Sequence, residues 1–395
     1  MKKLFLATTA ATALIAGAAM AEEVKMGIAL GFTGPLESLS PAMADGAELA
    51  AKEISDSGKF MNGSTVTTVR ADTTCIDASA ATAAAERLVT SDRVAGIMGA
   101  MCSGATGAVL QNVAIPNGVV MISPSATSPA LSTVEDNGYF FRTSPSDARQ
   151  GVIIAQTLKD RGYESIAITF TNNDYGKGLA DSIGGAFEEI GGTVTINAAH
   201  EDGKADYSAE IGALSSAGGD ALVVAGYIDQ GGKGVIRAAL DSGAFDMFVL
   251  PDGMVGETLE TEFAGEIEGS IGTKPGSESE GLAIFVELAK AAGFDGKEVY
   301  SPESYDAMAL MLLAMQAAGS TNGDDYKGKI MEIANAPGEL IMPGELGKAL
   351  DILAAGGDVD YVGASAVEFI EPGESAGSYL EMEIKDGKLV TIAVR

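Results

Sequence analysis

The sequence is poor in the residues that build common active sites. His200 is the only histidine among 395 residues, which excludes histidine-based dyads, triads and clustered metal sites. It follows a strand-like run among polar residues, so we expect it to be exposed to solvent. No phosphate loop of the Walker type occurs, because the glycine-rich stretch 231–234 lacks the required spacing. We therefore expect no enzymatic activity, no metal and no cofactor.

Basic residues are also scarce. Lysine and arginine together number 25 against 55 aspartate and glutamate residues, which gives a formal net charge of −30 at pH 7. Such a charge disfavours nucleic acid and anionic lipid as partners. Hydrophobic residues make up 46% of the chain, which is too large a share for a disordered protein.

Long apolar runs are confined to the N-terminus. Lys2 and Lys3 precede an apolar stretch over 4–18, and Ala19-Met20-Ala21 has the small-residue pattern of a signal cleavage site. We expect residues 1–21 to be a signal peptide, cleaved after Ala21, and the mature protein to be exported and soluble. The alternative is an uncleaved anchor, but the stretch is short for a membrane span.

The chain has two cysteines, Cys75 and Cys102. An even number in an exported chain predicts a disulfide. Each cysteine follows a strand-like run, so adjacent strand ends would bring the two together. In the chain-entropy description such a bridge stabilises the fold by roughly 3–4 kcal/mol.

Apolar runs alternate with segments of helix length through most of the chain. A first series lies at 24–30, 65–69, 94–98 and 119–122, and a second at 165–170, 193–197, 221–225 and 248–250. This alternation predicts parallel βαβ units. A break at 139–145 and a polar, glycine-rich segment at 271–277 interrupt it. The 374 residues that follow the signal (395 − 21) suit two domains.

Hydroxyl residues follow two neighbouring strands of the first series. Ser103 lies after the run that ends at Met98, and Thr127 lies after the run at 119–122. Parallel strands end at the same edge of a sheet, and ligands bind at that edge. Together with amide groups at a helix start, the hydroxyls predict a pocket for a small anion, most simply a carboxylate. The alternative is that these residues only cap helices and fill turns.

Seven short motifs then occur in a fixed order. They are GFTGPL at 31–36, the paired cysteines with Cys102-Ser103, ISPSATSPAL at 122–131, NNDYGKG at 172–178, AGY at 225–227, PDG at 251–253 and SPESYDA at 301–307. In these motifs the chain resembles the periplasmic substrate-binding proteins of the leucine/isoleucine/valine-binding type. Such proteins deliver amino acids to ATP-driven (ABC) importers.

The resemblance implies a type I periplasmic-binding-protein fold of the α/β class. Two Rossmann-like lobes would be joined by three crossovers, with the ligand cleft between them. Lobe 1 would contain residues 22–145 and 275–361, and lobe 2 residues 146–274 and 362–395. The resemblance also implies a periplasmic monomer whose partners are an amino acid and the membrane permease of an importer.

The resemblance further implies roles for individual residues. Ser103 and Thr127 would hold the ligand carboxylate, and the carboxylate of Asp252 would pair with the ligand ammonium. The other residues implied near the ligand are Ser125, whose carbonyl would face the ammonium, and Ala126, Tyr175, Tyr227, Leu39 and Tyr300. For Asp252, within Pro-Asp-Gly, the alternative is an exposed turn. The family often has an aromatic residue in the loop after GFTGP, where this chain has Leu39. Glu37 of the same loop either faces solvent or enters the pocket to select a polar or cationic side chain.

The expected function is therefore that of a solute receptor for an importer of branched-chain or other aliphatic or polar amino acids. The alternative is a sensory protein that binds a small amino acid or carboxylate and docks onto a membrane receptor. The same fold serves both functions, and the motifs do not distinguish them.

Overall fold

A computed structural model describes residues 21–263 and 265–395, so the predicted signal peptide, apart from Ala21, lies outside the described residues. The strands are β1 Glu23–Leu30, β2 Thr65–Asp72, β3 Gly96–Gly99, β4 Val120–Ser123, β5 Phe140–Arg142, β6 Ser165–Thr171, β7 Thr193–His200, β8 Ala221–Ala225, β9 Phe248–Leu250, β10 Ile271–Pro275, β11 Glu339–Ile341, β12 Val359–Tyr361, β13 Phe369–Ile370, β14 Glu374–Ser375, β15 Tyr379–Lys385 and β16 Lys388–Val394. The helices are α1 Ser40–Asp56, α2 Ala78–Arg87, α3 Ser103–Val109, α4 Ile115–Asn117, α5 Asp147–Asp160, α6 Asp174–Glu189, α7 Ser208–Ala217, α8 Gly231–Ser242, α9 Glu257–Glu262, α10 Glu280–Ala292, α11 Ser301–Ala318, α12 Gly323–Tyr326, α13 Ile330–Ile333 and α14 Leu346–Ala354. Within the described ranges, no helix is long and apolar enough to cross a membrane.

Two seven-stranded sheets organise the chain into two lobes. The sheet of lobe 1 has the order β13–β14–β5–β4–β3–β1–β2, and that of lobe 2 the order β16–β15–β10–β9–β8–β6–β7. Strands β1 to β5 are parallel, as are β6 to β10. Inner strands such as β4 and β8 are buried along their whole length, as in parallel sheets that helices cover on both faces. The predicted α/β fold of two lobes is confirmed.

The chain crosses between the lobes three times. The first two crossovers lie between β5 and α5 and between β10 and α10. The third lies between β14 and β15, so the prediction that lobe 2 resumes at residue 362 is wrong. Residues 369–375 extend the sheet of lobe 1, because β14 pairs with β5 before the chain leaves this lobe.

The structure joins Cys75 and Cys102 in a disulfide with their Cα atoms 5.3 Å apart. Cys75 follows β2, and Cys102 immediately precedes α3. The bridge therefore ties the end of one strand to the start of the helix whose first residue is Ser103.

A buried arginine lies beside the first and third crossovers. The guanidinium of Arg142 donates to the carbonyl oxygens of Ala126 and Ser128 at 3.1 and 2.9 Å, and to Ser132 Oγ at 2.6 Å. It also pairs with the carboxylate of Glu374 in β14. Since Arg142 is almost fully buried, its charge depends on Glu374 for compensation.

We expect Glu374→Ala to destabilise the protein by about 3–5 kcal/mol, because it leaves the Arg142 guanidinium buried without its counter-charge. Urea unfolding measures this as a lower midpoint at an unchanged slope. The matched control is Asp56→Ala, which removes the partner of the exposed Lys52 and should cost about 0–1 kcal/mol. Equal effects of the two substitutions would contradict the role given to Glu374.

Candidate ligand-binding site

The candidate site lies in the cleft between the lobes, where the carboxyl ends of strands from both sheets face each other. The residues that line its cavity are Leu36, Met101, Cys102, Ser103, Ser125, Tyr175, Tyr227, Asp252, Gly253 and Tyr300. The cavity among them is only about 10 Å³, roughly the space that one water molecule needs. The lobes are thus in a closed position, and a larger molecule enters only when they separate or side chains move.

Lobe 1 contributes hydroxyl groups from the ends of β3 and β4. Ser103 Oγ accepts a hydrogen bond from the amide of Ser128 at 3.1 Å. Ser125 Oγ donates to the carbonyl of Met101 at 2.8 Å. Thr127 Oγ1 is buried and has no hydrogen-bond partner among the residues that the structure describes. Ser103 and Ser125 therefore bring hydroxyl groups to the cavity wall.

Lobe 2 contributes two tyrosines and an aspartate. The rings of Tyr175 and Tyr227 stack with centroids 5.2 Å apart and planes 8° from parallel. The Tyr175 hydroxyl donates to Asp252 Oδ1 at 3.2 Å and accepts from the amide of Gly253 at 3.2 Å. A Cβ atom on Gly253 would lie 2.8 Å from this hydroxyl and 2.7 Å from the carbonyl of Gly226. The Pro-Asp-Gly motif therefore requires its glycine for close packing.

Asp252 connects the two lobes. It is buried, so the alternative of an exposed turn is wrong. Its second carboxylate oxygen accepts a hydrogen bond from the hydroxyl of Tyr300, which belongs to lobe 1. Burial raises the pKa of Asp252, and hydrogen bonds from the tyrosines oppose the rise. A cation placed in this cavity would stabilise the charged form of the carboxylate.

Other contacts close the cleft near its edge. The carboxylate of Asp229 in lobe 2 accepts from the amide of Ser38 at 2.9 Å, and the amide of Asp229 donates to the carbonyl of Pro35 at 3.1 Å. The Ser128 hydroxyl donates to the carbonyl of Asp174 at 3.1 Å. Each of these bonds joins a loop of lobe 1 to lobe 2, so opening the cleft breaks them.

The predicted site residues fall into two groups. Ser103, Ser125, Tyr175, Tyr227, Asp252 and Tyr300 line the cavity, whereas Leu39, Ala126 and Thr127 do not. Leu36 reaches the cavity in place of Leu39, which packs against Gly256 of lobe 2. Glu37 is exposed, which agrees with the alternative that it faces solvent.

The sequence interpretation missed Asp147, the first residue of α5. Its amide donates to the carbonyl of Thr127 at 2.9 Å, and its carboxyl is fully buried near Thr127 and Asp252. Burial and the charge of Asp252 raise the pKa of Asp147 well above its usual range, against the opposing influence of the Thr127 hydroxyl and the charge of Arg142. A Ser-Pro-Ser-Asp sequence reads simply as a helix start, so only the packing of the lobes reveals this second carboxyl.

Comparison with known proteins gives the site a context. A family model described as periplasmic binding protein matches residues 23–339. The chain belongs to the periplasmic binding protein family. Leu/Ile/Val-binding protein homolog 1 of Brucella melitensis is 30% identical over 337 residues, which cover 84% of this chain and 89% of that protein. The resemblance found in the motifs is thereby confirmed.

Solved structures of the periplasmic binding protein fold also match. A branched-chain amino acid transporter substrate-binding protein from Streptococcus pneumoniae, in complex with isoleucine, has a TM-score of 0.77 at 24% identity, covering 94% of this chain and 99% of that one. A solute-binding protein of an ABC transporter from Rhodopseudomonas palustris, in complex with p-hydroxybenzoic acid, has a TM-score of 0.74 at 18% identity, with 94% and 97% covered. At these identities the likeness establishes the fold.

His200 is not the exposed residue that the sequence indicated. It ends β7 and is buried, with Nδ1 2.9 Å from the Thr169 hydroxyl and its ring edge-on to Tyr207. Its Nε2 atom has no hydrogen-bond partner in the described part of the chain. Burial lowers the pKa of His200 to about 4. The imidazole in this periplasmic binding protein is therefore neutral near pH 7.

We expect the imidazole of His200 to titrate with a midpoint near pH 4 in the folded protein. Proton NMR can follow it without ambiguity, since the chain has one histidine. The control is the protein in concentrated urea, where the midpoint should return to about 6.5. Because the folded pKa is depressed, stability should fall as the pH drops from about 6.5 through 4. A folded midpoint near 6.5 would contradict the buried placement.

Proposed function

We propose that this protein captures an amino acid in the cleft between its lobes and delivers it to an ABC importer in the periplasm. The observation that carries the proposal is Asp252, a buried carboxylate bound by Tyr175 of its own lobe and Tyr300 of the other. Across the same cavity lie the Ser103 hydroxyl and the loop that carries Thr127. Hydroxyl groups on one wall can bind a carboxylate, and the carboxylate of Asp252 on the opposite wall can bind an ammonium. This arrangement suits the two charges of an amino acid.

The division of these groups between the lobes supports binding by closure. Ser103 and Thr127 belong to lobe 1, and Asp252 belongs to lobe 2. A ligand with one end on each lobe favours the closed arrangement over the open one, because it makes both sets of contacts only when the lobes meet. The similarity to a Leu/Ile/Val-binding protein supports a receptor over an enzyme. So does the single histidine of the sequence, which leaves no histidine-based dyad or triad.

The roles of the individual residues follow from this arrangement. In the proposal, Ser103 and Thr127 hold the carboxylate, the carbonyl of Ser125 and the carboxylate of Asp252 face the ammonium, and the stacked tyrosines exclude water. Exclusion of water matters because charge-assisted hydrogen bonds gain strength when they are desolvated, to roughly 1.5–3 kcal/mol each.

The proposal is tested first by a thermal-shift screen over amino acids and small carboxylates, since binding at 100 times Kd stabilises a protein by about 2.7 kcal/mol. Calorimetry with the best ligand then compares variants. Asp252→Asn keeps the shape and removes the charge, so it should weaken binding of an amino acid by about 2–5 kcal/mol. Ser103→Ala removes one hydroxyl and should cost about 1–3 kcal/mol.

The control is Asp246→Asn, which removes an exposed charge before β9, at the opposite end of the strand from Asp252, and should leave affinity unchanged. A ligand that is a carboxylate without an amino group gives a different pattern. Binding would then weaken in Ser103→Ala and stay equal or improve in Asp252→Asn, because that substitution removes repulsion. That pattern would refute the amino acid assignment.

A further inference from the structure

A second and larger cavity adjoins the ligand cavity. It measures about 710 Å³ and lies in the gap between the lobes, within the size range of ordinary ligand sites. Its walls come from α9, β10, β15 and β16 of lobe 2 and from the segments 295–303 and 364–365 of lobe 1. Tyr300 lines both cavities and so lies between them at this position.

The walls of the large cavity are acidic on both sides of the gap. Lobe 2 contributes Glu257 and Glu260, of which Glu260 pairs with Lys388. The acids from lobe 1 and the second crossover are Glu278, Asp295, Glu298 and Glu303. Burial raises the pKa of Glu298, and the charges of Asp295, Glu257 and Glu260 raise it further while Lys274 opposes them. Like charges of the two lobes therefore approach each other across this gap.

Glu303 is the most deeply buried acid in this wall. It lies in the first turn of α11, and only 3% of its surface is exposed. Its Oε2 atom has no hydrogen-bond partner within residues 21–263 and 265–395. Burial raises the pKa of Glu303 to about 8, with a further rise from Asp306 and opposition from Lys274. A buried carboxyl group with an unpaired oxygen is stabilised by a hydrogen-bond donor that reaches it through the cavity.

Lys274 also lines this cavity but forms no ion pair with Glu303 among the described residues. The ammonium of Lys274 donates to the carbonyl of Lys297 at 2.7 Å, which joins the two lobes. Among the described residues, no group of three or more acidic, histidine or cysteine side chains is close enough to hold a metal ion. The acids are dispersed along the wall, so they suit an organic cation that carries several hydrogen-bond donors.

We propose that this cavity is a second subsite of the cleft, which takes the ammonium or guanidinium end of an elongated ligand whose amino acid head lies between Ser103 and Asp252. The inference rests on the proposed function and narrows it to basic amino acids. The ligand chain would pass beside Tyr300, and its cationic end would meet Glu303 and Glu298. The cation would also relieve the repulsion between the acids of the two lobes.

Calorimetry with matched ligands tests this subsite. Lysine and norleucine share a carbon chain and differ in the terminal ammonium, and arginine and citrulline differ in the charge of the terminal group. We expect each cationic ligand to bind roughly 10- to 100-fold more tightly than its neutral counterpart, as for a desolvated charge-assisted contact. Glu303→Gln should remove most of that difference while the affinity for norleucine stays unchanged.

Two further variants make the test decisive. Glu298→Gln alters a half-buried residue, so it tests the subsite even if Glu303→Gln lowers the melting temperature. Glu189→Gln removes an exposed acid at the far end of α6 and should change nothing. If leucine or norleucine binds as tightly as lysine, or if the variants weaken both equally, the subsite is refuted and the amino acid receptor stands. If no amino acid binds, the proposed function fails, and this inference fails with it.

Discussion

The guanidinium of Arg142 is the interaction on which the binding wall of lobe 1 depends. On one side it fixes the carbonyl groups of Ala126 and Ser128, which flank Thr127. On the other side it pairs with Glu374, shortly before the third crossover. A buried cation whose donors are all used tolerates little displacement. The loop that carries Thr127 is therefore held to the segment before the third crossover, and the contacts that hold it lie within lobe 1.

The parallel sheets explain why so much of the site could be predicted from the sequence. Strand ends of a parallel sheet meet at one edge, so the polar residues after β3, β4, β6, β8 and β9 had to converge there. Ser103, Tyr175 and Asp252 lie in the cleft for this reason. The motifs between the strands predict short turns, and a short turn leaves few directions in which its side chains can point.

The features that the sequence did not predict depend on contacts between residues that are distant in the sequence. β5 is only three residues long, and β10 contains Gly272, Lys274 and Pro275, so the sequence indicated breaks at both positions. Each of them lies inside a sheet with a strand on either side. His200 has polar neighbours in sequence and is covered by Thr169 and Tyr207 in the fold. Periodicity reports on the local environment of a side chain and cannot show that a second element covers it.

The site residues that sequence reasoning missed are of the same kind. Asp147 begins a helix in the sequence, and only the first crossover brings it against Thr127 and Asp252. Leu36 lines the cavity and Leu39 does not, and the amide of Ser38 between them donates to the carboxylate of Asp229 in the other lobe. The sequence of the loop does not show which of its two leucines meets the cleft.

The closed position buries carboxyl groups in both lobes, Asp147 and Asp252 in lobe 2 and Glu303 in lobe 1. Burial raises the pKa of Asp252, Asp147 and Glu303, so the charged form of each is disfavoured in the closed position. When the lobes separate, water can solvate those carboxylates that line the cleft, and the penalty on them falls. A ligand cation thus binds the closed form more tightly than the open form, which is the condition for shifting the equilibrium toward closure. A ligand without positive charge leaves the penalty in place, so its hydrogen bonds and apolar contacts alone would have to hold the lobes together.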